Sequence, residues 1–160
     1  RILVVDDSGD LYTRAVRVFW ALNSVCDSGL VVFDKHMLMK NQYGHCQRIN
    51  DNPEVLKVVD VVAYVTSGIE ASKTDLSKNR SMYDLVIVPA RISAFSFDFD
   101  APGVGLVRDI LLPARMCWGW YNCVEDQVPF ELKGNFAVQN IENKADLGKA
   151  IKFALNRFRG

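Results

Sequence analysis

The sequence predicts an α/β protein in which a doubly wound, five-stranded parallel sheet lies between two layers of helices. Two observations predict this three-layer fold. Short, continuously apolar segments at 2–5 and 83–88 are typical of strands that are buried on both faces. Amphipathic segments of helical period alternate with the strands, as in βαβ units. Because βαβ crossovers are right-handed, the carboxyl ends of the strands should share one edge of the sheet, where this architecture binds ligands.

The chain opens with the strand at 2–5, a polar turn and a helix. Ser8 or Asp10 is suited to be the helix N-cap, and Arg14 and Arg17 fall on the polar side of the helix. The apolar residues at helical spacing are Leu11, Ala15, Val18, Phe19 and Leu22.

The next segments predict a strand, a long connection and a second helix. Gly29–Phe33 predicts the strand, and residues 34–52, which lose any period, predict the connection. Pro53 supplies a helix start, and valines at helical spacing continue the helix to Ile69. The same valines would also suit a strand, but length and period favour a helix.

The second half of the chain predicts a clear strand and a clear closing helix with shorter elements between them. The strand at 83–88 ends at Pro89, and Asn143 caps the closing helix. The remaining predicted elements are a loop at 90–102, a helix at 104–116 with a break at Pro113, and strands at 116–121 and 135–139.

Composition excludes several functional classes. The 160 residues, of which 49% are hydrophobic and 24% charged, are typical of one globular domain over 1–160. Nineteen basic residues balance nineteen acidic ones, so no nucleic-acid or anionic-membrane partner is expected, and no apolar run predicts a membrane span. Four cysteines without a CxxC pair indicate reduced thiols and a cytoplasmic location. The start at Arg1 suggests one module of a longer chain.

Asp6 and Asp7 end the first strand on the predicted functional edge. Two adjacent carboxylates there have the oxygen ligands that Mg²⁺ prefers. The alternative is structural, because acidic side chains near a helix N-terminus cap free N–H groups and interact favourably with the helix dipole.

Three segments resemble a response-regulator receiver domain, a fold of the flavodoxin-like type. Residues 2–8, an apolar strand followed by Asp6, Asp7 and Ser8, resemble its start, residues 83–88 its third strand, and residues 146–151 its closing helix. The resemblance implies that Asp6 and Asp7 hold Mg²⁺ and that an aspartate after the third strand accepts a phosphoryl group. It also implies a Ser or Thr after the fourth strand and a Lys after the fifth.

This sequence departs from that pattern at three of the four positions. Pro89 stands at the phosphoacceptor position, and uncharged Gln139 or Asn140 stands at the lysine position. No Ser or Thr follows Ser96. The resemblance therefore implies a degenerate pseudo-receiver with at most a weak, vestigial Mg²⁺ site at Asp6 and Asp7 and no enzymatic turnover. Such a domain would act through a protein partner or neighbouring domains of the same chain.

Two enzymatic alternatives remain open. Asp98 or Asp100, in the loop after the third predicted strand, could join the acidic pair and make a metal-dependent, phosphorylatable receiver. Cys117 or Cys123 could pair with His36 or His45 as a thiol hydrolase of the caspase-like α/β type, and Gly44-His45-Cys46 is a weak match to such a site. Core cysteines are the more common alternative.

Aromatic residues suggest where a partner could bind. Trp118, Trp120 and Tyr121 fit equally a core cluster and exposed interface anchors. Phe95, Phe97 and Phe99 favour a buried loop. A small ligand at the carboxyl edge of the sheet is a third possibility.

Overall fold

The computed structural model describes residues 1–91, 97–139 and 143–159, without the side chains of residues 144, 158 and 159. Its strands are β1 (Ile2–Asp6), β2 (Gly29–Phe33), β3 (His36–Lys40), β4 (Cys46–Asn50), β5 (Val61–Ser67), β6 (Leu85–Pro89), β7 (Trp118–Tyr121) and β8 (Phe136–Val138). Its helices are α1 (Leu11–Val25), α2 (Ile69–Asn79), α3 (Pro102–Leu106, continued by a π-helical turn, Val107–Leu111) and α4 (Lys144–Arg159).

The strands form one mixed sheet in the order β4-β3-β2-β5-β1-β6-β7-β8. Every pair from β2 across to β8 is parallel, whereas β2–β3 and β3–β4 are antiparallel. The α/β class is therefore confirmed, but the predicted five-stranded, parallel, flavodoxin-like sheet is wrong. In the flavodoxin-like order the first two strands are neighbours, whereas here β5 lies between β1 and β2.

The first error concerns residues 34–52, which form a β-hairpin and not a long connection. The turn is built by Asn41, whose Oδ1 accepts hydrogen bonds from the backbone N–H groups of Tyr43 and His45 at 2.9 and 3.0 Å. Gly44 takes φ of 79° in this turn, a conformation that glycine adopts at little cost. The sequence pattern does not reveal β4 because it is an edge strand, whose exposed side chains are polar and show no apolar run.

The second error concerns the valine-rich segment, which forms a central strand and not a helix. Only a short 3₁₀ turn, Val55–Lys57, is helical before β5. Val61, Val62 and Val65 are buried because β5 lies between β1 and β2 and is covered on both faces. β-branched residues pack well on such a surface, and this tertiary contribution overrides the helical spacing of the valines.

Helices cover both faces of the sheet. α1 packs against α4 over one apolar cluster, which includes Phe19, Leu22 and Ile151. α2 and α3 pack over the other cluster, which includes Leu76, Val104 and Trp120. None of the helices in the described part of the chain is both long and apolar enough to cross a membrane.

Several predicted element boundaries are confirmed. α1 begins after Asp10, whose Oδ1 accepts a hydrogen bond from the Thr13 N–H at 3.1 Å. α4 follows Asn143, whose Oδ1 accepts from the Ala145 N–H at 2.9 Å. Pro89 is the last residue of β6. These elements place the ends of β1, β5, β6 and β7 together at the carboxyl edge of the parallel strands.

Candidate functional site

Asp6 lies at the centre of the carboxyl edge, as the last residue of β1, and is only 1% exposed. Its Oδ1 accepts three hydrogen bonds: from the Ser8 N–H at 3.1 Å, from the Ser8 hydroxyl at 2.7 Å and from Arg14 Nε at 3.1 Å. Its backbone carbonyl accepts from the N–H of Gly68, at the end of β5. Asp6 therefore joins the turn after β1 to α1 and to the neighbouring strand.

Arg14 is the cation of this site. It lies on α1, its side chain is 6% exposed, and its partner Asp6 is fully buried. Its guanidinium also lies over the Tyr121 ring, 5.3 Å from the ring centroid, in the geometry of a cation–π contact. A buried carboxylate is tolerated only when it is paired and hydrogen-bonded, and Arg14 supplies that charge from within the chain.

The sequence placed Arg14 on the polar side of its helix, and the structure corrects this. Arg14 lies three residues after Leu11 and four before Val18, so it also fits the buried stripe of α1. That spacing was the available signal for a buried arginine. The identity of its partner could not be read from the sequence, because it depends on how α1 packs on β1.

Tyr121 completes the site from the end of β7 and is fully buried. Its hydroxyl lies 2.6 Å from the carbonyl oxygen of Val5 and 3.2 Å from Asp7 Oδ1, and it donates to these acceptors. Burial, and then the nearby Asp7 carboxylate, raise the pKa of Tyr121 far above its usual value. The tyrosine is therefore a neutral hydrogen-bond donor that fixes the turn after β1.

Asp6 and Asp7 stay at the predicted edge, but they have different surroundings. Asp6 is buried against Arg14, whereas Asp7 is exposed and accepts from Tyr121. Over the described ranges, no three His, Cys, Asp or Glu side chains come together in a way that could hold a metal ion. Asp98 and Asp100 are among those residues, so they do not complete a metal cluster with the pair. Asp98 Oδ1 instead accepts from the Asp100 N–H at 2.9 Å.

The predicted phosphoacceptor position holds no nucleophile. Pro89 ends β6 beside Tyr121, its partner on β7. A Cβ at Gly103 would lie 2.5 Å from the Pro89 carbonyl oxygen, so the absence of a side chain there lets α3 approach the end of β6. Gln139 follows β8 and is exposed, whereas Asn140 lies outside the described residues.

The cysteine–histidine pairs are not assembled. His36 lies on β3 and His45 in the hairpin turn, whereas Cys117 and Cys123 flank β7. Five strand spacings, about 24 Å, separate β3 from β7 in the sheet. Burial raises the pKa of the Cys117 and Cys46 thiols, and it raises that of Cys123 to about 11. A nucleophilic thiol needs the opposite shift.

The aromatic cluster belongs to the core. Trp118, Trp120 and Tyr121 are 2%, 1% and 0% exposed, so the structure supports the core interpretation of these residues and not the exposed anchors. The Trp120 indole N–H donates to the Leu132 carbonyl at 2.8 Å. Phe97 is buried against Trp120, Phe99 is 46% exposed, and Phe95 lies outside the described residues.

Comparison of the chain with known protein families, with curated proteins and with solved structures finds no match.

Proposed function

We propose that the chain is a regulatory domain that acts by binding a protein partner, or a neighbouring domain, and that it performs no phosphoryl transfer. The observation that carries the proposal is the buried ion pair between Arg14 and Asp6. Phosphoryl transfer to a carboxylate needs a cation that neutralises the phosphoryl oxygens. In this chain the guanidinium of Arg14 takes up the charge of the innermost carboxylate.

Two further features of the carboxyl edge support a non-enzymatic role. Pro89 offers no nucleophile at the end of β6, and the thiols of Cys117 and Cys123 are buried, with raised pKa values. β5 separates β1 from β2, so the sheet does not have the strand order of a receiver domain. The proposal therefore depends on the contacts of this site and not on the strand order. The free state of all four cysteines supports a reducing compartment, and we place the domain in the cytoplasm on that ground.

The surface that we propose for the partner is the β8 edge of the sheet. β8 is the terminal strand, and edge strands present backbone groups to which another strand can add. The chain that leads to β8 exposes Phe130 and Val124, which are 89% and 41% exposed. An edge strand together with an exposed apolar side chain in the segment that leads to it would give a partner both backbone and side-chain contacts.

The enzymatic part is tested by incubation with acetyl phosphate and Mg²⁺, followed by intact-mass spectrometry. A phosphorylatable receiver in the same mixture serves as the positive control. We expect no mass gain in this chain. A stoichiometric gain of one phosphoryl group that hydroxylamine removes would contradict the proposal.

The binding part is tested with a displayed library of random peptides selected on the wild-type protein. We expect enriched peptides whose affinity falls about tenfold or more in Phe130→Ser and is kept in Phe99→Ser, a matched change at another exposed phenylalanine. Peptides that ignore Phe130 would contradict the assigned surface. A library that gives no enrichment would contradict binding at this edge.

One observation favours a second candidate, a small ligand with hydrogen-bond donors at the carboxyl edge. Asp6 Oδ2 is buried and, within the described part of the chain, has no hydrogen-bond partner. A cavity of about 510 Å³ lies at the ends of β2 and β5, and it is lined by Ser67, the register partner of Asp6. A thermal-shift screen of small amines and polyols tests this candidate. A hit should be lost in Ala71→Trp, which places a large side chain in the cavity that Ala71 lines.

A further inference from the structure

A pocket of about 330 Å³ lies at the amino edge of the sheet, opposite the site described above. It is lined by residues just before β6 and β7, by the turn after α2 and by the last part of α4. Three arginines from three separate elements, Arg80, Arg115 and Arg157, line this one pocket. Its only acidic lining residue among those described is Asp84, so the guanidinium groups that line it outnumber its carboxylates.

The charges of two of these arginines are not used by the fold. Within the described ranges, neither Arg80 nor Arg115 forms an ion pair or a side-chain hydrogen bond. The third arginine, Arg157, favours the thiolate of Cys117 and so opposes the effect of burial on the pKa of that thiol. The charge of Arg157 therefore acts on Cys117, another residue that lines the pocket.

Arg115 occupies a backbone position that glycine favours. It has φ of 53°, and the N–H groups of Arg115 and Met116 donate to the carbonyls of Leu112 and Leu111. This is the Schellman pattern that ends a helix, in which the left-handed residue is usually glycine. A side chain in the left-handed region costs roughly 1–2 kcal/mol. Strain that is kept in a non-glycine residue points to a use for its side chain.

We propose that Arg80, Arg115 and Arg157 form a binding pocket for a phosphate monoester at the amino edge of the sheet. The planar guanidinium group matches phosphate oxygens with paired N–H donors, and three such groups can surround the three terminal oxygens of a monoester. The volume of the pocket suits a small ligand and not an extended chain. This site is independent of the β8 edge and of the carboxyl-edge ion pair.

A simpler explanation is that each arginine serves its own helix. Arg80 follows α2, Arg115 ends the helical segment that begins at Pro102, and Arg157 lies in the last turn of α4, and helix C-termini favour cations. This explanation accounts for each position separately. It predicts that the arginines act on stability alone, so anion binding separates the two explanations.

The test is titration of the ¹⁵N-labelled chain with phenyl phosphate and, separately, with inorganic phosphate at constant ionic strength. We expect saturable amide shifts at residues 80–84 and 114–117, with phenyl phosphate bound at least as tightly as inorganic phosphate. Arg80→Ala, Arg115→Gly and Arg157→Ala should each weaken binding about tenfold, the size of one lost charge-assisted hydrogen bond. Arg108→Ala, the same loss of charge outside the pocket, should leave binding unchanged.

Arg115→Gly keeps the test decisive, because glycine suits the backbone at this position. The variant should remain folded, so that a loss of binding cannot be assigned to unfolding. The proposal is overturned by absence of saturable binding, by equal weakening in Arg108→Ala, or by unchanged binding in Arg115→Gly. Tighter binding of inorganic phosphate than of phenyl phosphate would overturn the monoester assignment.

Discussion

Breaking the buried ion pair at the end of β1 should be among the most destabilising changes in the chain. The side chains of Arg14 and Asp6 are 6% and 0% exposed, and Arg14 Nε lies 3.1 Å from Asp6 Oδ1. Arg14→Met keeps an unbranched side chain that can pack in the same place and removes its charge, which leaves a buried carboxylate with hydrogen bonds from Ser8 alone. An uncompensated buried charge of this kind costs about 3–5 kcal/mol of unfolding free energy.

The loss should be recovered when both charges are removed. Replacement of a buried pair by apolar residues of similar size is often neutral, so Asp6→Leu combined with Arg14→Met should lie within about 2 kcal/mol of the wild type. The two single variants should each lose more than the double variant does. This non-additivity is the signature of direct coupling.

Urea unfolding followed by tryptophan fluorescence measures these differences. Asp7→Asn is the matched control, because Asp7 is the exposed neighbour and an amide oxygen can still accept from Tyr121. It should change stability by less than about 0.5 kcal/mol. A cost below about 1 kcal/mol for Arg14→Met, or additive losses in the double variant, would refute the reasoning.

Two further predictions follow from the core. Gly103→Ala should cost about 1–3 kcal/mol of unfolding free energy, because its Cβ would lie 2.5 Å from the backbone oxygen of Pro89. Gly105→Ala is the control in the same helix, since its Cβ would meet only the tip of a lysine and should not destabilise the protein. Equal losses of stability in urea unfolding would contradict this prediction. Because burial raises the pKa of Cys123 from 9.0 to about 11, iodoacetamide at pH 8 should label half-buried Cys46 before Cys123. The stabilisation linked to the Cys123 thiol should disappear as pH rises from 9 to 11. Faster labelling of Cys123 by mass spectrometry, or a gain in stability over that pH range, would argue against the burial.

Strands with one unambiguous signal could be predicted from the sequence. β1, β2 and β6 are continuous apolar runs, and their positions are confirmed. α1 and α4 combine an amphipathic period with a capping residue, and both begin where the caps indicate.

The remaining strands depend on long-range pairing, which local patterns do not encode. In β5 the valines fit both periods, and burial between two strands decided the outcome. β4 carries exposed polar residues because it is the edge strand, whereas β3 holds only a short apolar run at 37–39. The strand character of both comes from pairing, of β3 with β2 and of β3 with β4. Because β5 lies between β1 and β2, the strand order differs from the one that the receiver resemblance implies.

The sequence predicts the acidic residues of the candidate site but not its basic residue. Asp6 and Asp7 could be placed at the carboxyl edge because they follow the first strand directly. Tyr121 could be placed near the end of a strand, but its hydrogen bonds to Val5 and Asp7 cross β6 and need the assembled sheet. The helical spacing of the apolar residues predicts Arg14 on the polar side of α1, and the buried partner that overrides this prediction is not visible in the sequence.

At the end of β1, Arg14 takes up the charge that a metal would otherwise neutralise, so this site should not bind a divalent cation. Paramagnetic broadening of backbone amide signals during titration with Mn²⁺, a substitute for Mg²⁺, measures this binding residue by residue. We predict no saturable broadening at residues 6–8 up to millimolar Mn²⁺. Saturable broadening at those amides with a sub-millimolar dissociation constant, relieved by competition with Mg²⁺, would contradict the account.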